Sequence, residues 1–141
     1  MIKHLMLLFL GITTFIISSC KSRYSQYHAD WIVKKAEYEG ENVYDLITLF
    51  NFKINVQSNT ARPAKIDFTN EFTLSRDVPI EFSRKNGKDY LKILDHPTLK
   101  GVFEIDCLDK NCCTISIQNE KIYLELTYNS EIPYGVERDC P

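Results

Sequence analysis

"IEFSRKNGKDYLKIL", residues 80–94, decides the fold. Asn-Gly is the dipeptide that most readily supplies the two positive φ angles of a type I′ loop, whose twist matches that of the flanking strands. With Asn86 and Gly87 as that loop, Phe82 falls opposite Leu91 and Ile80 opposite Ile93, so one face of the pair is apolar. The other face carries Glu81, Ser83, Tyr90 and Lys92. A period of two with one buried face is the mark of an antiparallel sheet over a core.

The same reading extends toward the carboxyl end. In "SIQNEKIYLEL", from Ser116, a loop at Asn119 and Glu120 would set Ile117 opposite Ile122 and Ile115 opposite Leu124. In "GVFEIDCLDKNCCTISI", residues 101–117, the register also determines a covalent question. A four-residue loop would place Cys107 opposite Cys112 but would set Ile105 against Thr114 and Phe103 against Ser116. A five-residue loop, Leu108 to Cys112, sets Cys107 against Cys113, Ile105 against Ile115 and Phe103 against Ile117, which matches apolar with apolar. Because a one-residue slip turns every side chain to the other face, the second register is preferred. It implies a bridge from Cys107 to Cys113, with Cys112 left to reach Cys140. Buried free thiols, or a zinc site recruiting His96, are the alternatives, although the spacing lacks the paired Cys-x2-Cys of common structural zinc sites.

Upstream, "WIVKKAEYEGEN" from Trp31 reads as a first strand ending in a turn at Gly40, with Lys34 and Lys35 interrupting the alternation. "NVYDLITLF", residues 42–50, changes period: Val43, Leu46, Ile47 and Phe50 fall at i, i+3, i+4 and i+7, and Asn42 can cap, so a short helix is expected. Phe50, Phe52, Ile54 and Val56 return to period two, "SNTARP" breaks the chain, and Ile66, Phe68, Phe72 and Leu74 supply a further strand or bent pair before a gap at Pro79. The sum is an all-β antiparallel meander of about eight strands with one short helix after the first. Closure into a small barrel is expected because it leaves no long exposed edges.

The amino end carries an address. Lys3 and His4 precede a thirteen-residue apolar run, residues 5–17, which is too short to span a bilayer as a helix and suits a secretory signal. Ile17, Ser18, Ser19 and Cys20 resemble the lipobox of bacterial lipoproteins. That resemblance implies thioether lipidation of Cys20, cleavage before it, acylation of the new amino group with a chain such as palmitate, and a protein held on a bilayer by two or three chains. Residues 1–19 are then a cleaved signal, 20–30 a lipidated tether, and 31–141 a single domain. Lys21, Ser22 and Arg23 match neither the aspartate of inner-membrane retention nor an acidic surface-export run, so the expected location is the outer membrane of the cell envelope, facing the periplasm.

Trp31 opening the first strand, a short helical turn after it and a run of hairpins to about residue 128 resemble the small lipocalin-like lipoproteins of Bacteroidetes-type bacteria. Ala29 stands where lipocalins place a glycine two residues before the tryptophan, and Arg138 is the candidate for their late arginine. The expected function is a non-catalytic binding module for a small apolar ligand, with inward Phe50, Phe52, Phe68, Phe82, Leu91 and Phe103 lining a pocket or simply filling a small barrel. The alternative is an envelope protein-interaction or inhibitor module, with Tyr123, Tyr128, Tyr134 and the tail "NSEIPYGVERD" as its face.

Other classes find little support. A net charge of −2 with scattered basic residues, −3 once Lys3 is removed, offers no footprint for nucleic acid. His28 falls in the tether and His96 stands alone in a turn, while Glu104 and Asp106 share an outer strand face, so no enzyme, cofactor or metal is expected.

Overall fold

The computed structural model describes residues 23–67, 75–132, 134–135 and 137–141. The signal segment 1–19, Cys20, Phe68, Phe72 and Leu74 lie outside the described residues. The strands are β1 (Ala29–Tyr38), β2 (Glu41–Asn42), β3 (Ile47–Leu49), β4 (Asn51–Asn55), β5 (Thr60–Arg62), β6 (Lys65–Ile66), β7 (Val78–Lys85), β8 (Lys88–Ile93), β9 (Gly101–Cys107), β10 (Thr114–Gln118) and β11 (Ile122–Tyr128). Successive antiparallel neighbours run β1, β4, β5, β7, β8, β9, β10, β11, and β11 pairs back onto β1. Eight strands thus close an up-and-down barrel, consistent with a small lipocalin-like fold. β2 extends the upper part of β1, and β3 and β6 form a separate ribbon.

The barrel has two unlike ends. At the foot lie the start of β1, the end of β11, the Asn86–Gly87 turn, the β9–β10 loop and the tail after Tyr128. The far end carries the Glu39–Gly40 turn, residues 43–46, the 94–100 connection and the β10–β11 turn. Inside, Trp31, Phe52, Ile54, Leu91, Phe103, Ile105, Ile115, Ile117 and Leu124 belong to one buried cluster.

The deciding hairpin folds as its pattern requires, with Ile80 opposite Ile93, Phe82 opposite Leu91, and φ of 54° at Asn86 and 75° at Gly87. The two lysines that break the alternation of β1 mark a bulge: pairing with β11 passes from Val33–Leu126 to Lys35–Glu125. The extra residue re-phases the strand, so that Trp31, Val33 and then Ala36 face the core while Lys34 and Lys35 both stay in water.

The two carboxyl-side hairpins keep the expected faces but not the expected partners. Ile117 pairs with Leu124 and Ile115 with Leu126, two residues from the alignment with Ile122 and Leu124. Ile105 pairs with Ile117 and Cys107 with Ile115, again displaced by two. A shift of two preserves every inward side chain, so the apolar pattern cannot distinguish the registers; the turns do. Asn119 accepts the backbone N–H of Lys121 (3.0 Å) and Ile122 (2.8 Å) and so makes Glu120 and Lys121 the tip. Asp109 accepts the Cys113 N–H (2.8 Å) while Leu108 donates to the Thr114 carbonyl (2.8 Å), which sets the loop at Asp109–Cys113.

The bridges follow the loop, and the expected pairing is corrected. Cys112, in the left-handed region at φ 53°, turns back to bond Cys107, and Cys113 bonds Cys140 (Cα–Cα 4.9 and 5.7 Å). The expected helix at 42–50 reduces to one 3₁₀ turn, Tyr44–Leu46, after which Ile47 enters β3 opposite Ile66. So short a helix repays its nucleation poorly, and β-branched Ile47 and Thr48 suit a strand. β5 lies inside the stretch read as a break. Pro79 is the second residue of β7 rather than a gap, placed where β7 pairs only briefly with β5.

Residues 24–30, read as tether, belong to the body. Tyr24 stacks on Phe82 (4.8 Å between ring centres), Ser25–Tyr27 form a 3₁₀ turn, and Tyr27 and Ala29 are buried. Stepwise reduction with thiol blocking and mass spectrometry is expected to recover Cys107–Cys112 and Cys113–Cys140; peptides joining Cys107 to Cys113 would contradict the register of the β9–β10 loop.

Candidate functional site

Of the six side chains expected to line a pocket, the structure brings three together in the packed interior. Phe52 and Leu91 have no accessible surface and Phe103 has 1%. Side chains with so little accessible surface are packed against their neighbours. Phe50 is half-buried against Tyr44 (5.3 Å), and Phe82 against Tyr24 and Tyr27 (4.8 and 5.9 Å). Phe68 lies outside the described residues.

The densest chemistry is at the foot. Trp31, fully buried, sits opposite Phe52 on β4 and Tyr128 on β11 and donates its indole N–H to the Tyr27 carbonyl (3.0 Å). The Tyr27 hydroxyl donates to Asp89 Oδ2 (2.7 Å), whose Oδ1 accepts from Arg84 Nη1 (3.2 Å). Burial, and then the bond and charge of Asp89, push the Tyr27 pKa up, so it stays a donor. Asp89 was legible as an anomaly, since it shares the inward parity of Leu91 and Ile93 in β8.

Over this plug lies the tail. The Arg138 guanidinium stacks 5.0 Å from the Trp31 ring and 5.3 Å from Tyr128, donates through Nη1 to the Cys112 carbonyl (2.7 Å) and through Nη2 to the Gln26 carbonyl. Among the described residues its Nε finds no acceptor. Arg138 therefore joins the amino-terminal 3₁₀ turn, the β9–β10 loop and the barrel plug, and the Cys113–Cys140 bridge holds it in place. Gly135 crosses His28 so closely that a Cβ there would stand 2.0 Å from the His28 carbonyl oxygen, at φ +88°. Beside it Tyr134 stacks on His28 (4.7 Å) under the Lys53 ammonium (4.1 Å). Tyr128 and Tyr134 are thus spent on docking the tail, whereas Tyr123 stays on the outer wall near Lys35 (5.5 Å).

Both described histidines act as acceptors. His28 Nδ1 receives the Val56 N–H (3.0 Å), and His96 Nδ1 receives the N–H groups of Thr98 (3.2 Å) and Leu99 (2.9 Å), capping its turn. Burial lowers both pKa values. Lys53 and Arg138 add to the effect at His28; at His96 Arg76 adds to it and Asp95 opposes it. A cleft of about 300 Å³ between the β9–β10 loop and the tail is lined by Asp109, Lys110, Thr114, Thr127, Tyr128 and Cys140, without histidine. Among the described residues no group of three His, Cys, Asp or Glu is placed to hold a metal ion.

No family model matches this chain, and neither a curated protein nor a solved structure does.

Two predictions follow from the foot. Arg138→Ala strands two carbonyls and uncovers an indole, so it is expected to cost about 2–4 kcal/mol by denaturant melts. The Cys113→Ser/Cys140→Ser pair should cost a similar amount, and the triple variant less than the two together, because both changes release the same tail. For pH, a histidine whose folded pKa is depressed binds its proton more readily unfolded. The stability it contributes is present above about 6.5 and is lost as pH falls through the lower folded value. The melting temperature is expected to drop between about pH 7 and pH 5, and a His28→Asn, His96→Asn variant should show a flatter profile over the same range.

Proposed function

We propose that this chain is a lipid-anchored envelope lipoprotein whose barrel is a non-catalytic interaction module with a packed interior, recognising another envelope protein through its loops. The observation that carries the choice between the two binding readings is the absence of accessible surface on Phe52 and Leu91, with 1% on Phe103. An interior without room beside these rings leaves surfaces to do the binding. The anchor rests on Ile17, Ser18, Ser19 and Cys20, and two disulfides suit an exported, oxidising setting. An outer-membrane position facing the periplasm accords with the lack of either sorting pattern at Lys21–Arg23.

The foot is occupied by its own plug and tail, so the far end is the better recognition face. There the 3₁₀ turn presents Leu46 at 42% exposure. It is flanked by turns that side chains fix from within: Asn42 Oδ1 accepts the Tyr44 N–H (2.9 Å), and Asn119 and His96 cap their own turns. Exposed apolar anchors on fixed loops carry much of the energy in protein interfaces.

Metabolic palmitate is expected to label the protein and to be lost in Cys20→Ala. Native mass spectrometry of the mature body should give the bare polypeptide mass, and a retained lipid would return the pocket reading. A partner captured from envelopes by the tagged protein should bind Leu46→Ala about tenfold more weakly.

A further inference from the structure

We infer that the tail after Tyr128 is a redox-latched strap: a dithiol reductant opens the Cys113–Cys140 bridge ahead of Cys107–Cys112, and the foot is then uncovered at Trp31 while the barrel stays folded. The inference stands on the two bridges and their surroundings and does not depend on the lipid anchor or on the interaction reading.

The two bridges join unlike partners. Cys107 ends β9, and Cys112 follows five residues later in a loop whose arms are already tied, by the Leu108 N–H to the Thr114 carbonyl (2.8 Å) and by the Cys113 N–H to Asp109 (2.8 Å). Opened, that pair of thiols stays side by side. Cys113 and Cys140 are 27 residues apart, and Cys140 belongs to a tail that forms no strand among its described residues. Two thiols held together by less structure have a lower effective concentration for one another, so their bridge yields to a milder reductant.

Access points the same way. Cys113 and Cys140 both line the cleft of about 300 Å³ between the β9–β10 loop and the tail, whereas Cys107 and Cys112 do not. Cys113 is only 5% exposed, but Cys140 is half-buried and offers the sulfur that an entering thiolate meets. Cys107 is half-buried as well, outside the cleft, and its bridged partner Cys112 is 6% exposed. Attack forms a mixed disulfide on Cys140, and the electron pair of the broken S–S bond leaves on Cys113. The second thiolate of the reductant then displaces Cys140, and the reductant departs as its own disulfide. Two electrons pass to the protein, and the two protons of the dithiol end on Cys113 and Cys140.

Arg138 is the reason that this opening is felt at the barrel. It lies two residues before Cys140, stacks on Trp31 (5.0 Å) and Tyr128 (5.3 Å), and donates to the carbonyls of Cys112 and Gln26. Without the bridge, these contacts, the Tyr134–His28 stack and the Asn111 bond to Asp139 must alone offset the entropy of an ordered strap. The strap is released and Arg138 leaves the indole. The ladders of β9 with β10, β10 with β11 and β11 with β1 contain no residue beyond Tyr128, so they persist.

The test exposes the full chain to dithiothreitol at rising ratios of reduced to oxidised form, traps free thiols by alkylation and locates them by peptide mass spectrometry. Cys113 and Cys140 are expected to open at a ratio about tenfold below that needed for Cys107 and Cys112. Trp31 is the only tryptophan and has no accessible surface, so its emission reports the strap. Before alkylation, opening should shift that emission to longer wavelength and make it quenchable by acrylamide, with the far-ultraviolet circular dichroism of the sheet unchanged. The C113S/C140S variant should show the quenchable state from the start and not respond to dithiothreitol, while C107S/C112S should respond as the parent does. Opening of Cys107–Cys112 first or in step with the other bridge overturns the inference. So does a Trp31 that stays shielded once Cys113 and Cys140 are free, or a sheet signal that is lost together with the bridge.

Discussion

Closing the sheet is the constraint on which the other features depend. β1 must bond β11 along most of its length and β4 along its lower part, and there Trp31, like Ile32 beside it, stands opposite a partner on both sides, Tyr128 and Phe52. A barrel strand that serves two neighbours has to coil strongly, and the bulge at Val33/Lys35 supplies the bend. The same bulge returns Ala36 to the interior. Once the largest side chain of the protein lies at the seam, the foot must be sealed above it, since an indole at an open rim would keep a wet face. Tyr27, Arg138 and the Tyr24–Phe82 stack provide that seal.

Among its described residues, the tail that brings Arg138 forms no strand. Ordering chain costs about 1–2 kcal/mol per residue, so a strap of this length needs more than scattered contacts. The Cys113–Cys140 bridge, closing 27 residues, contributes about 3–4 kcal/mol on the chain-entropy account. Further contacts come from Tyr134 on His28, from the Asn111 bond to the Asp139 carbonyl (3.2 Å) and from the two guanidinium bonds. Adjacent cysteines divide the work: Cys112 rigidifies the loop that offers its carbonyl to Arg138, and Cys113 retains the strap carrying that arginine.

What could be read from the chain follows from the range of each determinant. The 80–94 hairpin was fully legible because its turn chemistry and apolar parity both lie within fifteen residues. The next two hairpins were legible in face and not in partner, since parity repeats every two residues while the choice between registers belongs to single side-chain bonds at Asn119 and Asp109. The bridges inherited that error. Residues 21–30 looked like a tether because they are polar on average; Tyr24 and Tyr27 serve the fold through contacts with Phe82 and Asp89, 58 and 62 positions away. The helical spacing at Val43, Leu46, Ile47 and Phe50 was a coincidence of two strand ends flanking a turn. Trp31 and Arg138 were noticed through the family resemblance, but nothing local shows that one covers the other.

An eight-stranded barrel is just wide enough for its interior to be either packed or hollow, and the size of the inward residues decides which. Here Trp31, Phe52 and Phe103 sit among isoleucines and leucines, with the plug of Tyr27 below them. The two ends are then held by different physics. The foot is fastened by rings, a guanidinium and a disulfide over long sequence distances, which suits a base that must not change shape. The far-end turns are held by short-range acceptors at Asn42, His96 and Asn119, each fixing two or three neighbouring residues. A loop stiffened by its own side chain keeps one conformation in the free protein, and on the interaction reading proposed above it would lose little further entropy when a partner arrives.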